Sequence, residues 1–587
     1  MQRDLVTSIQ QLDLIQKIGQ MMMVGFPGKL LNEEIISLIR DDFVGGVILF
    51  SRNIGMASEV QTLTHHLQEI AALSGHPFPL LIAIDQENGM VRRLDESLLP
   101  LPGNMALGAV DDMTTTEKVA YHTGRVLARL GITMNLAPVV DVNHNPYNPV
   151  IGVRSFGSSP EHVAHHGAAM IRGLHKAGIM AVAKHFPGHG DTHTDSHLEL
   201  PVIHTDLKRL RNIELVPFQR AIDEDVDAVM TAHIAFPDLT RGQYVPATIA
   251  PEILSLLRGE LAYPGVIISD CLEMQAIQQT VGTVEGALQA LKAGVDIILI
   301  SHTYTLQKAA IERIVQAVKN GEVDEARIDA SLYRIFKLKL LSLKRQSALQ
   351  ALEQRDRGEQ EAMKRLAEDV YRRAVTIVKD EKQFIPLHLS VEQIVLLFFP
   401  KTYDQSPVED RSGGLRTWIE MMRSYHARIV AVEYDAHSGE ILNLHQTVGD
   451  AVRTIHVSPE NRWGYIEACY VAQNFAQSDQ LCEKTQGLVH GVGAIVVGTF
   501  NAHRHPQQIQ MVQRLVKAWK DAYADAVPFI VVALREPYDG MLLPEVPALV
   551  VTYESSQGAL KALTQGLFGD QMLAGRLPVT LPEKGRT

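Results

Sequence analysis

The amino-acid sequence predicts an α/β protein: a (β/α)8 TIM-like barrel followed by an αβα sandwich. Three observations carry this expectation. Short apolar runs alternate with amphipathic stretches over the first 345 residues, and there are eight such runs. Most are continuously apolar, which suits parallel strands covered on both faces. A charged, helix-patterned segment then separates them from a second series of five runs.

The eight runs are MMMVGF (21–26), GGVILF (45–50), LLIAIDQE (80–87), MNLAPVVDV (134–142), MAVAKHF (180–186), AVMTAHI (228–234), GVIISD (265–270) and VDIILIS (295–301). Stretches such as 56–73, 116–130, 160–177 and 275–293 lie between them with helical spacing. Eight β-α alternations point to a barrel spanning 1–345. Residues 346–385 (ALEQRDRGEQEAMKRLAEDVYRRAV and its flanks) read as a helical connector. Residues 386–587 then carry IVLLFF (394–399), RIVAVEY (428–434), GAIVVGTF (493–500), FIVVALRE (529–536) and ALVVTYE (548–554), the pattern of a three-layer αβα sandwich.

Composition narrows the function. The 587 residues carry a net charge of −12, which argues against a broad nucleic-acid surface, because phosphate binding needs clustered Lys and Arg. The three cysteines, Cys271, Cys469 and Cys482, form no CxxC pair and no disulfide framework, and packing roles are expected for the last two. The N-terminus shows no basic segment followed by an apolar core, and no apolar run approaches the ~18 residues of a membrane span. A cytoplasmic monomer with no membrane partner is the expectation, although a chain trimmed of its leader would look the same.

In a barrel, reactive groups gather where strands end and βα loops begin. Polar residues recur at those points: Asp85 and Glu87 after the third run, Asp141 and Asn143 after the fourth, Lys184 and His185 in the fifth, His233 in the sixth, Asp270 after the seventh. One such residue would suit a structural cap or ion pair. Five strands with the same habit point to a site.

The stretch AVAKHFPGHGDTHTDSHLELP (181–201) places His185, His189, His193 and His197 at every fourth position. Pro187, Gly188 and Gly190 oppose a helix there, so the spacing does not align four metal ligands on one face. A zinc site of the HExxH kind also needs a helix and a glutamate between the histidines, so no metal is expected. Asp195-Ser196-His197 sets a carboxylate two residues from an imidazole, which it could orient and make more basic; a surface loop with a capping Asp is the plainer reading of that triplet. Asp270 could attack an electrophilic carbon, or could cap the helix expected after it. Asp85 and Arg93 (in AIDQENGMVRRL), Arg154 (in IGVRSFGSSP), Lys184 and His185 add acceptors and donors. No GxxxxGK[ST] loop accompanies them, so a hydroxyl-rich neutral ligand such as a sugar is favoured over a nucleotide.

These strings, together with NLAPVVDVNHNP, VMTAHIAFP, SDCLEM and the closing AGRLPVTLP, resemble the family 3 glycoside hydrolases, in particular their β-N-acetylglucosaminidase branch. The resemblance covers the barrel and extends into the second domain. It implies that Asp270 is the catalytic nucleophile, that His197 is the acid/base with Asp195 as its partner, and that Asp85, Arg93, Arg154, Lys184 and His185 hold an N-acetylglucosamine ring. It further implies a retaining hydrolysis with no cofactor, acting on muropeptides or on chitin oligosaccharides. The sequence departs from the family pattern at DQENGM, at Cys271 after the nucleophile position, and at Val153. Three other readings stand beside this one: a phosphorylase, since an imidazole repels phosphate less than a carboxylate does; a silent sugar-binding protein; and a β-glucosidase.

Overall fold

Eight short strands follow the apolar runs of the first part of the chain: β1 (Met22–Val24), β2 (Gly46–Leu49), β3 (Leu81–Ile84), β4 (Met134–Asn135), β5 (Met180–Phe186), β6 (Ala228–Thr231), β7 (Val266–Ile268) and β8 (Ile298–Ile300). The structure, a computed structural model, describes residues 2–196, 198–350, 358–401, 414–448, 451–456 and 491–582. His197, Cys469 and Cys482 lie outside the described residues.

β1 to β7 pair in parallel and in chain order, and β8 pairs with β1. A parallel bridge between Ile268 and Ile297 closes the ring. Every residue of these strands is buried, as the unbroken apolar runs require. The run 134–142 yields only two strand residues. Pro138 has no N–H for the ladder, and beyond it only Val139 bridges to Lys184. At the start of β2 a side chain is forbidden: a Cβ on Gly45 would sit 2.2 Å from the Gln20 carbonyl oxygen.

Helices cover the ring through one apolar stripe each. The helix Ala57–Leu73 buries Val60, Leu63, Leu67 and Ala71. The helix Pro160–Lys176 starts on Ser159, whose side chain accepts from His162 N–H, with proline in its first turn. No helix among the described residues is long and apolar enough to cross a membrane.

The chain divides into two compact units, one built mainly on Met1–Asn104 and Asp112–Lys364, the other mainly on the chain from Arg365 onward with Met105–Asp111. The second unit holds an eight-stranded sheet in the order β13-β12-β11-β10-β14-β15-β16-β9. Its centre is parallel: β11 (Ile429–Asp435), β10 (Ile394–Lys401), β14 (Val492–Thr499), β15 (Phe529–Ala533) and β16 (Ala548–Val551). The helix Pro506–Tyr523 packs Val512, Leu515, Val516 and Trp519 onto one face, against Ile495, Val497, Phe529 and Val531. Trp418, on the helix Gly414–Tyr425, lies close to Gly498 on the other face, which makes the sandwich.

Three strands were not among the five expected. β9 (Thr376–Asp380) falls in the stretch read as connector and pairs antiparallel with β16. β12 (Ile441–Val448) and β13 (Ala451–His456) extend the other edge, also antiparallel. β9 is short and mostly half-buried, and β12 reads ILNLHQTV with polar residues interspersed, so neither shows the continuous apolar run of a central strand.

Candidate active site

The carboxyl ends of the barrel strands surround a cavity of about 500 Å³. Asp85, Arg93, Arg154, Lys184, His185 and Asp270, all singled out in the sequence, line it. Glu87 and His189, noted in the sequence but given no binding role there, line it too, as do Phe50 and Arg52, which the sequence left aside.

A buried ionic cluster forms its floor. Arg154 donates to Glu87 in a fork, Nε to Oε2 at 2.9 Å and Nη2 to Oε1 at 2.8 Å. Lys184 Nζ lies 2.8 Å from Glu87 Oε1 and 2.7 Å from Asp85 Oδ1. Burial would raise the Glu87 carboxyl, but the two cations outweigh it and hold Glu87 well below the usual carboxylate range. Burial would likewise lower the Lys184 amine, yet Asp85 and Glu87 raise it above its ordinary value. Glu87, Lys184 and Arg154 therefore stay ionised at neutral pH. Arg93 Nη2 lies 3.8 Å from Asp85 Oδ2.

The loop after β3 is pinned so that Arg93 faces this cluster. Gln86 exchanges backbone bonds with the Asn135 side chain, and its Oε1 accepts from the N–H groups of Arg93 and Leu94. After β4, Asp141 organises the next loop. Its Oδ1 accepts from the N–H groups of His185 and His189, and its Oδ2 accepts from His185 Nδ1 at 2.7 Å. Burial opposes the Asp141 charge, but His185 and the other donors keep its carboxyl below the usual range. That bond fixes His185 with Nδ1 as the donor.

The histidine-rich stretch contains no helix among its described residues, as the prolines and glycines dictate. His189 is buried between Thr192 Oγ1 (3.0 Å) and Ser196 Oγ (3.2 Å), and burial pushes its pKa down to about 4. It is a neutral brace for the loop that carries Asp195. Asp195 is buried, its backbone carbonyl accepts from Leu198 and Glu199 N–H, and its neighbour Ser196 lines the cavity. No group of three or more metal-competent side chains forms in this cavity among the described residues.

Asp270 stands two residues beyond β7 and is half-buried. The alternative reading, that it caps a following helix, does not hold: the helix begins only at Gln275, with Met274 at its cap. Asp270 Oδ1 instead accepts from Cys271 N–H at 2.7 Å. Its loop is propped from β6, since His233 Nε2 donates to the Cys271 carbonyl at 2.9 Å. The Cys271 thiol contacts Ser301 Oγ at 2.8 Å, and burial pushes its pKa up to about 12, so it stays a neutral thiol. On the far wall Arg52 lies over the Phe50 ring at 4.3 Å and donates to the Phe26 and Ser301 carbonyls. Glu87 and Asp141 stood out in the sequence only as strand-tip carboxylates; Phe50 and Arg52 follow β2, where strand-tip position was the one available signal.

The arrangement can fix a small neutral ligand by several rigid polar groups and present half-buried carboxylates, Asp270 among them, to it. A family model described as the glycosyl hydrolase family 3 N-terminal domain matches residues 13–338. The chain is 37% identical over 393 residues to a protein named Beta-hexosaminidase A from Pseudoalteromonas piscicida, spanning 63% of this chain and 65% of that protein. It is 36% identical over 290 residues to a Beta-hexosaminidase from Xylella fastidiosa, spanning 48% of this chain and 83% of that protein. It is also similar to a solved glycoside hydrolase family 3 β-N-acetylglucosaminidase from a Paenibacillus species, with 36% identity, a TM-score of 0.81, and coverage of 97% of this chain and 99% of that one.

Proposed function

The chain belongs to glycosyl hydrolase family 3, and from that premise we propose that it releases terminal β-linked N-acetylglucosamine by hydrolysis with retention of configuration. The observation that carries this reading is Asp270 at the tip of β7, facing a 500 Å³ cavity whose other polar groups are locked in place. A cavity of that size suits a single sugar ring. Asp85, Arg93, Arg154, Lys184 and His185 are the groups proposed to hold the ring. Preorganised donors and acceptors of this kind favour a hydroxyl-rich ligand because its bonds form without reorganising the site.

In the proposed reaction an Asp270 oxygen attacks the anomeric carbon as the glycosidic bond breaks, and His197 gives its proton to the departing oxygen. A water molecule, deprotonated by His197, then displaces the sugar from Asp270. Imidazole suits both steps, since its unperturbed pKa of roughly 6.5 lies close to neutral pH. Asp195 is assigned to orient and stabilise the imidazolium. Muropeptide fragments are the proposed natural substrate, with chitin oligosaccharides as the rival.

Trapping with a 5-fluoro N-acetylglucosaminyl donor, followed by peptide mass spectrometry, tests the nucleophile. Label on Asp270 is expected; label elsewhere, or none in an otherwise active enzyme, overturns the assignment. Digestion of defined muropeptides and chitobiose side by side, with and without phosphate, tests the rest. Release of N-acetylglucosamine 1-phosphate would replace water by phosphate in the second step.

A further inference from the structure

A second cavity, of about 750 Å³, opens at the opposite end of the barrel. Leu80 and Leu81 at the start of β3, and Thr133 just before β4, are part of its lining, so it sits at the amino ends of the strands. No step of the proposed reaction uses it.

Lys339, on the helix Glu325–Gln350, also lines this cavity and is only 2% exposed. Its Nζ donates to Gln20 Oε1 at 2.8 Å. Gln20 Nε2 donates in turn to the Phe43 carbonyl (2.8 Å) and to His76 Nδ1 (3.1 Å). His76 Nε2 lies 2.8 Å from the Ile39 carbonyl, which can only accept. The relay therefore fixes His76 as a neutral ring with Nε2–H, and burial pushes its pKa down to about 4. A buried amine thus ends in a chain of uncharged groups. With no carboxylate to oppose burial, its pKa falls to about 7.

We propose that this cavity binds a small organic carboxylate with an apolar body, its charge met by the Lys339 ammonium and its body resting on Pro77, Phe78, Pro79 and Leu343. A buried cation without a counter-charge is costly, and an anion beside it removes that cost. A single negative charge fits better than a phosphate dianion. The other fixed cation in the lining, Arg129, is already paired with Glu359.

Binding should be linked to a proton. A bound carboxylate favours the ammonium, so affinity is full below the free amine's pKa and declines as pH rises above it. The other titratable or charged side chains of the lining are His65, His76 and Arg129. His76 stays neutral through this range, and Arg129 is engaged by Glu359. His65 is exposed on the helix Ala57–Leu73, and a His65→Gln variant measures its share.

The test is titration calorimetry of the full-length protein with sodium benzoate, sodium hexanoate and inorganic phosphate at pH 6 and pH 9. Two variants locate the site: Lys339→Met removes the charge, and Leu343→Trp fills the cavity while leaving Lys339 in place. At least one carboxylate should bind saturably near the millimolar range at pH 6, at least ~10-fold more weakly at pH 9, and at least ~10-fold more weakly in each variant. Glycosidase activity should be unchanged in Lys339→Met. No saturable carboxylate binding up to ~50 mM, affinity unchanged in either variant, or no pH dependence overturns the proposal. Saturation by phosphate alone overturns it as well, because the apolar body would then have no role.

Discussion

Two lysines of the barrel are equally buried, at 2% exposure, and opposite in character. Lys184, near the carboxyl end of β5, lies within 2.8 Å of both Asp85 and Glu87, and its amine is raised above its ordinary value. Lys339, at the other end of the barrel, meets a neutral amide and falls to about 7. Burial imposes the same kind of penalty on both. Neighbouring carboxylates decide whether it is overcome. The carboxyl end of the barrel therefore carries fixed, mutually neutralised charge suited to a neutral ligand, while the amino end carries an uncompensated cation suited to an anion.

The largest effect should come from the carboxylate that shares the cavity with these fixed charges. Asp270→Asn should lower kcat at least ~10³-fold while leaving the fold and the Lys184 cluster intact. A variant with near-parental kcat and an unchanged melting temperature would show that the cluster serves some other reaction.

Next come the paired substitutions Lys184→Met and Lys339→Met, compared by thermal and denaturant unfolding. Lys184→Met leaves the buried Glu87 and the half-buried Asp85 without their shared cation and should cost about 3–5 kcal/mol, as breaking a buried pair does. It should also abolish sugar binding. Lys339→Met removes an unpaired buried amine and should be neutral or stabilising by about 1 kcal/mol at pH 7. Similar losses in both variants would break the contrast outright.

The smallest effects are in pH dependence, and the two ends act in different pH windows. Glu87 and Asp141 have folded values below their unfolded ones. Their stabilisation is present above about pH 4–5 and is lost as pH falls through the folded values. Glu87→Gln should flatten that acid limb. Lys339 also has a lowered folded value, but as a base: the unfolded chain binds more protons than the folded one between pH 7 and about 10. Stability from this group should rise with pH across that window, and Lys339→Met should remove the rise. An alkaline limb unchanged in Lys339→Met would place the lysine in solvent.

The carboxyl-end site was largely legible because charge in a continuously apolar strand has few structural uses. Asp85, Lys184, His185 and Asp270 each end or follow such a run, and all four line one cavity. Asp270 as a helix cap was an equal alternative in the sequence. Only the start of the helix at Gln275 removes it. Glu87 could be read as a strand-tip carboxylate, but not as the partner of Arg154, which lies 67 positions away. The role of His189 was hidden among four regularly spaced histidines. Its bonds to Thr192 and Ser196 exist only in a loop whose turns the sequence does not specify. In the second sheet, β9 lacked the continuous apolar signal of the central strands because it is an edge strand, which does not need it, and β12, next to the opposite edge strand β13, is interspersed with polar residues.

By itself the sequence determined the order of the buried runs, and with it which side chains stand at the carboxyl end of the barrel. That follows because parallel strands in chain order bring every strand tip to one side. The charge states were decided by tertiary structure alone. Lys339 and Gln20 meet across 319 positions, and Lys184 and Asp85 across 99. Proximity of that kind leaves no periodic trace in a chain, yet in a low-dielectric interior it fixes which amine holds its proton and which releases it.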